Sequence, residues 1–411
     1  MARITEEQQE QLIKILTNRI DEMNALYLQN IGEALKKIKE LTPSEAHKLV
    51  QILKYGGSYE DIVNEMAKYS NLNIKDIDRI FSLYAKKDQE FYEQFYKYRK
   101  IPYIPYEENI TLQRHTRALA NIVKNEMYNF TRSNVLGYAM EGLDGRKKFF
   151  GLRETYNRVL DEALINVGQG KETFDSAMTK TLKELGGSGL RTIEYKDTGR
   201  SVRLDSAVSM HLKDRISELH NEQQMIFGEE FGADGVEISV HAFPAPDHEE
   251  AQGRQFTKKE YEKLQLGDVA TDYKGRRITL DHDGKNGYRP ISAMNCYHNP
   301  MPIILGVSKP LYSDKQLDQI IKENNEGFNY NGKHYTKYEG TQLQRRLERA
   351  IRQQKDIQIL AKAEDNDNLI LLSQKNITKL NQEYKKMSEI AGLQTSPRRT
   401  RVPGYKRKKV K

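Results

Sequence analysis

Four residues in the middle of the chain have side chains that could do chemistry together: His241, His248, Cys296 and His298. Three imidazoles and a thiolate are the ligand types that hold zinc tetrahedrally. The same atoms could instead hydrogen-bond to one another and to Ser239, Asp247, Gln252, Arg254 and Asn295, fixing a loop-rich segment without any metal. A third chemistry is nucleophilic: Cys296, with His298 or His241 as base and Asp247 as orienter, has the parts of a thiol hydrolase. That chemistry favours a cysteine at a helix N-terminus, and Pro300 and Pro302 argue against a helix starting here. The spacings H-x6-H and C-x-H match no standard zinc module. Zinc and a hydrogen-bonded knot both stand, with no cofactor required by the pattern. The chain has no G-x-x-x-x-G-K-[ST] loop and no dense acidic cluster for magnesium, which removes the usual basis for phosphoryl transfer.

These residues lie within Gly228 to Pro302, which also holds His282. Val236, Ile238 and Val240 alternate with Glu237, Ser239 and His241, predicting a strand with an apolar back and a polar front that Pro244 and Pro246 end. Asp247, with Glu250 three residues on, reads as the N-cap of a short helix carrying His248 and ending near Gly253. Thr257 and Glu260 repeat the pattern before a helix that Gly267 stops. If the segment around Cys296 is extended, Cys296 and His298 share one face.

Everything before this stretch reads as a helical array rather than a sheet. Residues 5 to 41 carry apolar positions at steps of three and four. Thr42-Pro-Ser-Glu45 is a capping box, and Gly56-Gly57 ends its helix. Two short helices follow, Ser58 to Tyr69 and Ile74 to Tyr84. The aromatic run Phe91 to Tyr98 suits a staple between helices or a partner-facing surface. Helical periodicity resumes over 111 to 185, stopped by Gly186-Gly-Ser-Gly189, and again from Val202 through Met225. After the central stretch, Asn331-Gly332 predicts a two-residue hairpin turn. An amphipathic helix led by Thr341 carries Arg345, Arg346, Arg349 and Arg352. Asp365 to Asn368 breaks it, and a further helix covers 369 to 391.

The chain has 411 residues and a formal net charge of +8. Eight cations lie in the last fifteen residues: Arg398, Arg399, Arg401, Lys406, Arg407, Lys408, Lys409 and Lys411. Without them the chain has 58 basic and 58 acidic residues. A neutral body argues against nucleic-acid binding by overall charge, while the tail could neutralise phosphates of DNA. From Gln394 the composition predicts disorder. One cysteine excludes an internal disulfide. No secretory pattern opens the chain and no apolar run of about 18 residues occurs, so synthesis in a reducing cytoplasm without a membrane segment is expected.

Several stretches resemble a known family: GEEFGADGVEIS at 228–239, PDH with QGRQF within 246–256, ISAMNCYHNP at 291–300, LDSAVSMHLKDRISELHNE at 204–222 and GKHYTKYEGTQLQRRLERAIR at 332–352. They are similar to the tailed-phage minor capsid proteins, the second minor capsid type of phages and prophages of Gram-positive bacteria. In outline they are also similar to minor head proteins of the Mu-F type. The resemblance covers about 200–360 well and the N-terminal helices more loosely. It implies a low-copy structural head component of the virion, made in the host bacterial cytoplasm. Such a component associates with portal and capsid proteins and takes part in head morphogenesis or DNA delivery. It implies no catalytic residue. Where the wider family commonly ends in two cysteines around a basic residue, this chain has Cys296-Tyr-His298; histidine in place of cysteine is still a competent zinc ligand.

The expected architecture is α+β. A helical assembly region covers 1–225, a small mixed domain with the His/Cys cluster 226–340, C-terminal helices 341–393 and a disordered basic tail 394–411. The expected function is structural. A metal- or thiol-dependent hydrolase or effector carried in the head is the alternative.

Overall fold

The first helix owes its position to its composition: apolar residues occupy more than one face, so it has to be surrounded. The structure, a computed structural model, describes residues 6–132, 134–142, 144–195, 200–280, 290–291, 296 and 298–406. In it α1 (Glu6–Lys39) buries Leu16, Ile20, Tyr27, Leu28, Ile31 and Leu35 almost completely. Around it stand α2 (Pro43–Tyr55), α3 (Ser58–Arg99) and α4 (Ile110–Phe130). The Thr42/Glu45 capping box forms as the sequence dictates.

The two short helices expected between Ser58 and Tyr84 are one helix that runs on to Arg99. The polar run Ser70-Asn-Leu-Asn73 reads as a break, but its side chains are used between helices. Asn73 Nδ2 donates to the Leu16 carbonyl of α1 at 3.1 Å, and Ser70 Oγ to Thr131 Oγ1 at 2.7 Å. Tertiary partners override weak local propensity.

A second difference is larger. The supposed helical array contains a four-stranded antiparallel sheet, in the order β2-β1-β3-β4. Its strands are β1 (Leu136–Glu141), β2 (Lys147–Gly151), β3 (Arg191–Tyr195) and β4 (Arg200–Arg203). Helices α5 (Leu152–Asn166) and α6 (Lys171–Ser188) lie between the hairpins in sequence and pack on β1. Tyr138 of β1 stacks on Tyr27 of α1 with ring centroids 5.1 Å apart, and its hydroxyl donates to Asn24 Oδ1 at 3.0 Å. The run Gly186-Gly-Ser-Gly189 stops α6 as expected, with Gly189 as its C-cap, while Gly186 itself packs inside the helix. A Cβ at Gly186 would come within 2.7 Å of the Ile357 backbone.

Helix α7 (Leu204–Glu230) leads out of this body to the central segment. Its end is held by aromatics: Phe227 stacks on Tyr92 of α3 at 4.2 Å, and Phe231 meets Tyr96 edge-on at 5.1 Å. The run from Phe91 is therefore the interhelical staple.

The central segment comprises β5 (Gly235–Ile238), a 3-10 turn (Pro246–His248), β6 (Gln255–Thr257), α8 (Lys258–Leu266), β7 (Ala270–Thr271), β8 (Arg277–Ile278) and β9 (Pro300–Ile303). The order β6-β5-β9 forms an antiparallel sheet, and β7 pairs with β8. Val236, Ile238, Phe256, Tyr261 and Leu264 form its own small core. The cap on α8 and its stop at Gly267 follow the sequence.

Helix α9 (Asp314–Glu326) precedes the hairpin of β10 (Phe328–Tyr330) and β11 (Lys333–Tyr335). Asn331 and Gly332 both have positive φ, 49° and 74°, as a type I′ turn demands. Helix α10 (Lys337–Glu364) returns to the body and pairs with α11 (Asp367–Ala391). Ile357, Leu360, Leu369 and Ile370 join the core built on α1. The close approach to α1 needs Gly32, where a Cβ would sit 2.5 Å from that of Ala363.

The chain from Gln394 is not free over its described part. A short helix, α12 (Pro397–Thr400), precedes Val402, which is buried in the main core, and Arg399 pairs with Glu10 of α1 at 2.6 Å. Composition alone could not show that these residues close over the first helix. Arg407, Lys408, Lys409 and Lys411 lie outside the described residues. Among the described residues no helix is long and apolar enough to cross a membrane.

Charges are buried where α1, α7 and α10 meet. Arg352 bridges Asp21 and Asp205, the latter at 2.6 Å; Arg203 reaches Asp205 at 3.1 Å and Asp356 at 3.5 Å. Burial tends to raise the Asp205 carboxyl, but Arg352 and Arg203 outweigh it and hold it below its ordinary value. Asp356 is pushed up to about 7, chiefly by burial, against the pull of Arg203. A second cluster ties Lys39 to Asp175 at 3.0 Å and to Glu364 at 2.7 Å.

Two outcomes are expected. Arg352→Ala removes the guanidinium shared by two buried carboxylates and lowers stability by about 3–5 kcal/mol. Arg352→Lys recovers only part of this because a single ammonium cannot fork between two acids. Denaturant midpoints check both, and an unchanged Arg352→Ala midpoint refutes the account. For Asp356 the folded chain holds a proton that the unfolded chain has released, so its contribution to stability falls as pH rises from about 4 to about 7. Asp356→Asn flattens that part of the pH–stability curve, which denaturation series at several pH values will show.

Candidate functional site

Three short pieces of chain bring the His/Cys residues together. The ladder between β5 and β9 continues one step past Ile238: Ser239 N–H donates to the Asn299 carbonyl at 2.9 Å, and Asn299 N–H donates to Ser239 Oγ at 2.8 Å. This double link holds His298 beside the exit of β5. The strand itself is shorter than the alternation suggests, ending at Ile238 instead of Phe243. Its two faces are both covered, because Glu237 is buried, accepting from Gln255 Nε2 at 2.9 Å and from the Leu311 N–H at 3.1 Å. Phe243 at φ 59° turns the chain.

The turn that carries His248 is 3-10, preceded by Ala245. The expected Asp247 N-cap does not form. Asp247 is buried instead, with Oδ2 lying 3.8 Å from His248 Nε2. His248 N–H donates to the Ala245 carbonyl at 3.0 Å, and its own carbonyl accepts from Ala251 and Gln252. Gln252 is buried and its Oε1 accepts from the His241 N–H at 3.2 Å. Gly253 then returns the chain to β5, donating to the Ile238 carbonyl at 2.8 Å. It has φ +70°, and a Cβ there would lie 2.4 Å from Leu317 Cδ2.

Cys296 Sγ lies 3.5 Å from Nδ1 of His248 and 3.5 Å from Nδ1 of His298. All three residues are buried, His248 and His298 at 1% and 3% exposure and Cys296 at 7%. Their ligand atoms all lie within 4.8 Å of one another. His241 stands beside them, its ring edge-on to that of His298 with centroids 4.2 Å apart. The rings of His248 and His298 are 5.3 Å apart. Cys296 is outside any helix and enclosed, a poor setting for a nucleophile that must meet a substrate.

Of the supporting residues named from sequence, Ser239, Asp247 and Gln252 frame the cluster. Arg254 is engaged elsewhere: Nε donates to the Glu250 carbonyl at 2.6 Å and Nη1 faces Asp272 at 3.6 Å. Asn295 and His282 lie outside the described residues. Nearby, burial pushes the Glu249 carboxyl above its ordinary value, and the Asn324 amide that donates to it acts the other way.

A second place was not assembled from the sequence. Helices α1, α7, α10 and α12 enclose a cleft of about 390 Å³. Seven cations line it, Lys14, Lys213, Arg345, Arg349, Arg352, Arg398 and Arg399, against the carboxylates Glu10, Asp205 and Glu348. Arg345 and Arg349 are four residues apart on the exposed side of α10. That spacing is a readable signal; the contributions of Lys14 and Lys213 depend on the packing of distant helices.

A family model described as phage minor capsid protein 2 matches residues 4–388, nearly the whole chain. No curated protein and no solved structure matches it.

The framing of the cluster can be checked without touching its chemistry. Gly253→Ala combines an unfavourable φ with a forced shift of Leu317. It should lower stability by about 1–3 kcal/mol and speed amide exchange in β5 and β6. Unaltered exchange there means that the Gly253 turn does not brace the site.

Proposed function

We propose a specific mode of action for a chain that belongs to the phage minor capsid protein 2 family: it joins the portal region of the head to packaged DNA, through two different surfaces. The structural role in the virion comes with the family. The observation that carries the finer reading is the basic cleft among α1, α7, α10 and α12. Its excess of cations contrasts with a body whose overall charge is balanced, and it brings two arginines of the C-terminal segment and three of α10 to one space. A duplex offers phosphates at a density that such a cleft can neutralise without reading bases.

The protein-facing surface has a different character. Tyr98, Ile104 and Ile110, around the α3–α4 connection, are 85%, 52% and 63% exposed. Large apolar side chains left in water suit contact with another head protein. The portal is the partner proposed, because a component that meets entering or leaving DNA has to sit where DNA passes.

Arg345→Ala with Arg349→Ala should weaken duplex binding about equally for unrelated sequences. It should also reduce the slope of log affinity against log salt by about 2. Filter binding at several salt concentrations measures this, and a slope equal to the parent's removes the cleft from DNA contact. In particles, photo-crosslinking from position 98 should capture portal protein; capture of major capsid protein alone refutes the portal placement.

A further inference from the structure

We propose that His248, Cys296 and His298 bind one zinc ion, and that the ion fastens the 3-10 turn to the chain entering β9. This is independent of the portal and DNA reading. The two sulfur–nitrogen distances fit a metal-sized centre. With Zn–N near 2.0–2.1 Å and Zn–S near 2.3 Å, a tetrahedral site has an N···S edge of about 3.6 Å. Both observed edges are 3.5 Å.

The competing account is a hydrogen-bonded knot. A thiol could satisfy both rings only by donating to one Nδ1 and accepting an N–H from the other, two weak hydrogen bonds that require different tautomers of His248 and His298. A cation at the centre takes both nitrogens and the sulfur at once. The donor set is soft and nitrogenous, which favours zinc over magnesium, calcium or manganese. Ligation through Nδ1 leaves the proton on Nε2 of His248, on the side of the Asp247 carboxylate. A carboxylate behind a metal-bound histidine fixes the ring and strengthens it as a ligand. On binding, the Cys296 thiol loses its proton to solvent, the sulfur takes up the metal, and one proton is released per ion. His241, next to His298, or a water completes the four positions.

The ion also has work to do. The core of this segment is small, and the 3-10 turn and the entry to β9 have little regular structure of their own. A metal link between chain positions 48 residues apart would add to what its apolar contacts supply.

The experiment uses the full chain, purified without chelator and separately after metal removal. Elemental analysis should give about one zinc per chain, and adding zinc to the metal-free form should raise its melting temperature by several degrees. Cobalt in place of zinc should give a thiolate-to-cobalt absorption band, which needs no variant and so does not depend on a mutant folding. Cys296→Ser should abolish that band, and Asp247→Asn should weaken zinc binding about tenfold or more while leaving the band. A folded parent protein with neither stoichiometric zinc nor the cobalt–thiolate band overturns the proposal. So does a band that persists in Cys296→Ser.

Discussion

The pairing of Arg352 with Asp21 and Asp205 constrains where the main helices can sit. The three residues belong to α10, α1 and α7, and each brings a charge that water would otherwise solvate. Moving α10 by one turn, about 5.4 Å, would leave carboxylates buried without a cation, at a cost no apolar contact could offset. Apolar packing supplies most of the attraction, but it tolerates sliding. The guanidinium fork does not, since it needs two acids in its own plane. Gly32 and Gly186 let the backbones come close enough for the fork to reach.

Local rules carried part of the fold. The capping box at Thr42, the cap and stop of α8 and the Asn331-Gly332 turn need only a few adjacent residues, and each forms as its chemistry requires. The four-stranded sheet was hidden because Leu136–Glu141 and Arg191–Tyr195 are short, and apolar residues beside them also fit a helical period. The unbroken α3 was hidden for a different reason. Asn73 and Ser70 look like breakers until their partners on α1 and after α4 are known, and those are 57 and 61 residues away.

The candidate site was legible as a set of residue types and not as a geometry. Histidine and cysteine are few, so their crowding between 241 and 298 stands out. The convergence of His248, Cys296 and His298 depends on the Ser239–Asn299 clamp and the Gly253 return, and neither has a local signature. The basic cleft is the opposite case. Its arginines were visible one by one, but the packing of α12 on α1 and α10 makes them a single surface, and the C-terminal composition pointed instead to a free tail.

Closing the first helix with the tenth also sets a timetable. Asp21 and Arg352 are 331 residues apart, so a ribosome adding roughly 5–20 residues per second needs tens of seconds to deliver the partner of α1. Throughout that interval the apolar faces that α10 will cover stay open to solvent and to other nascent chains. Folding of the body is thereby a late event, completed only once translation has passed residue 364.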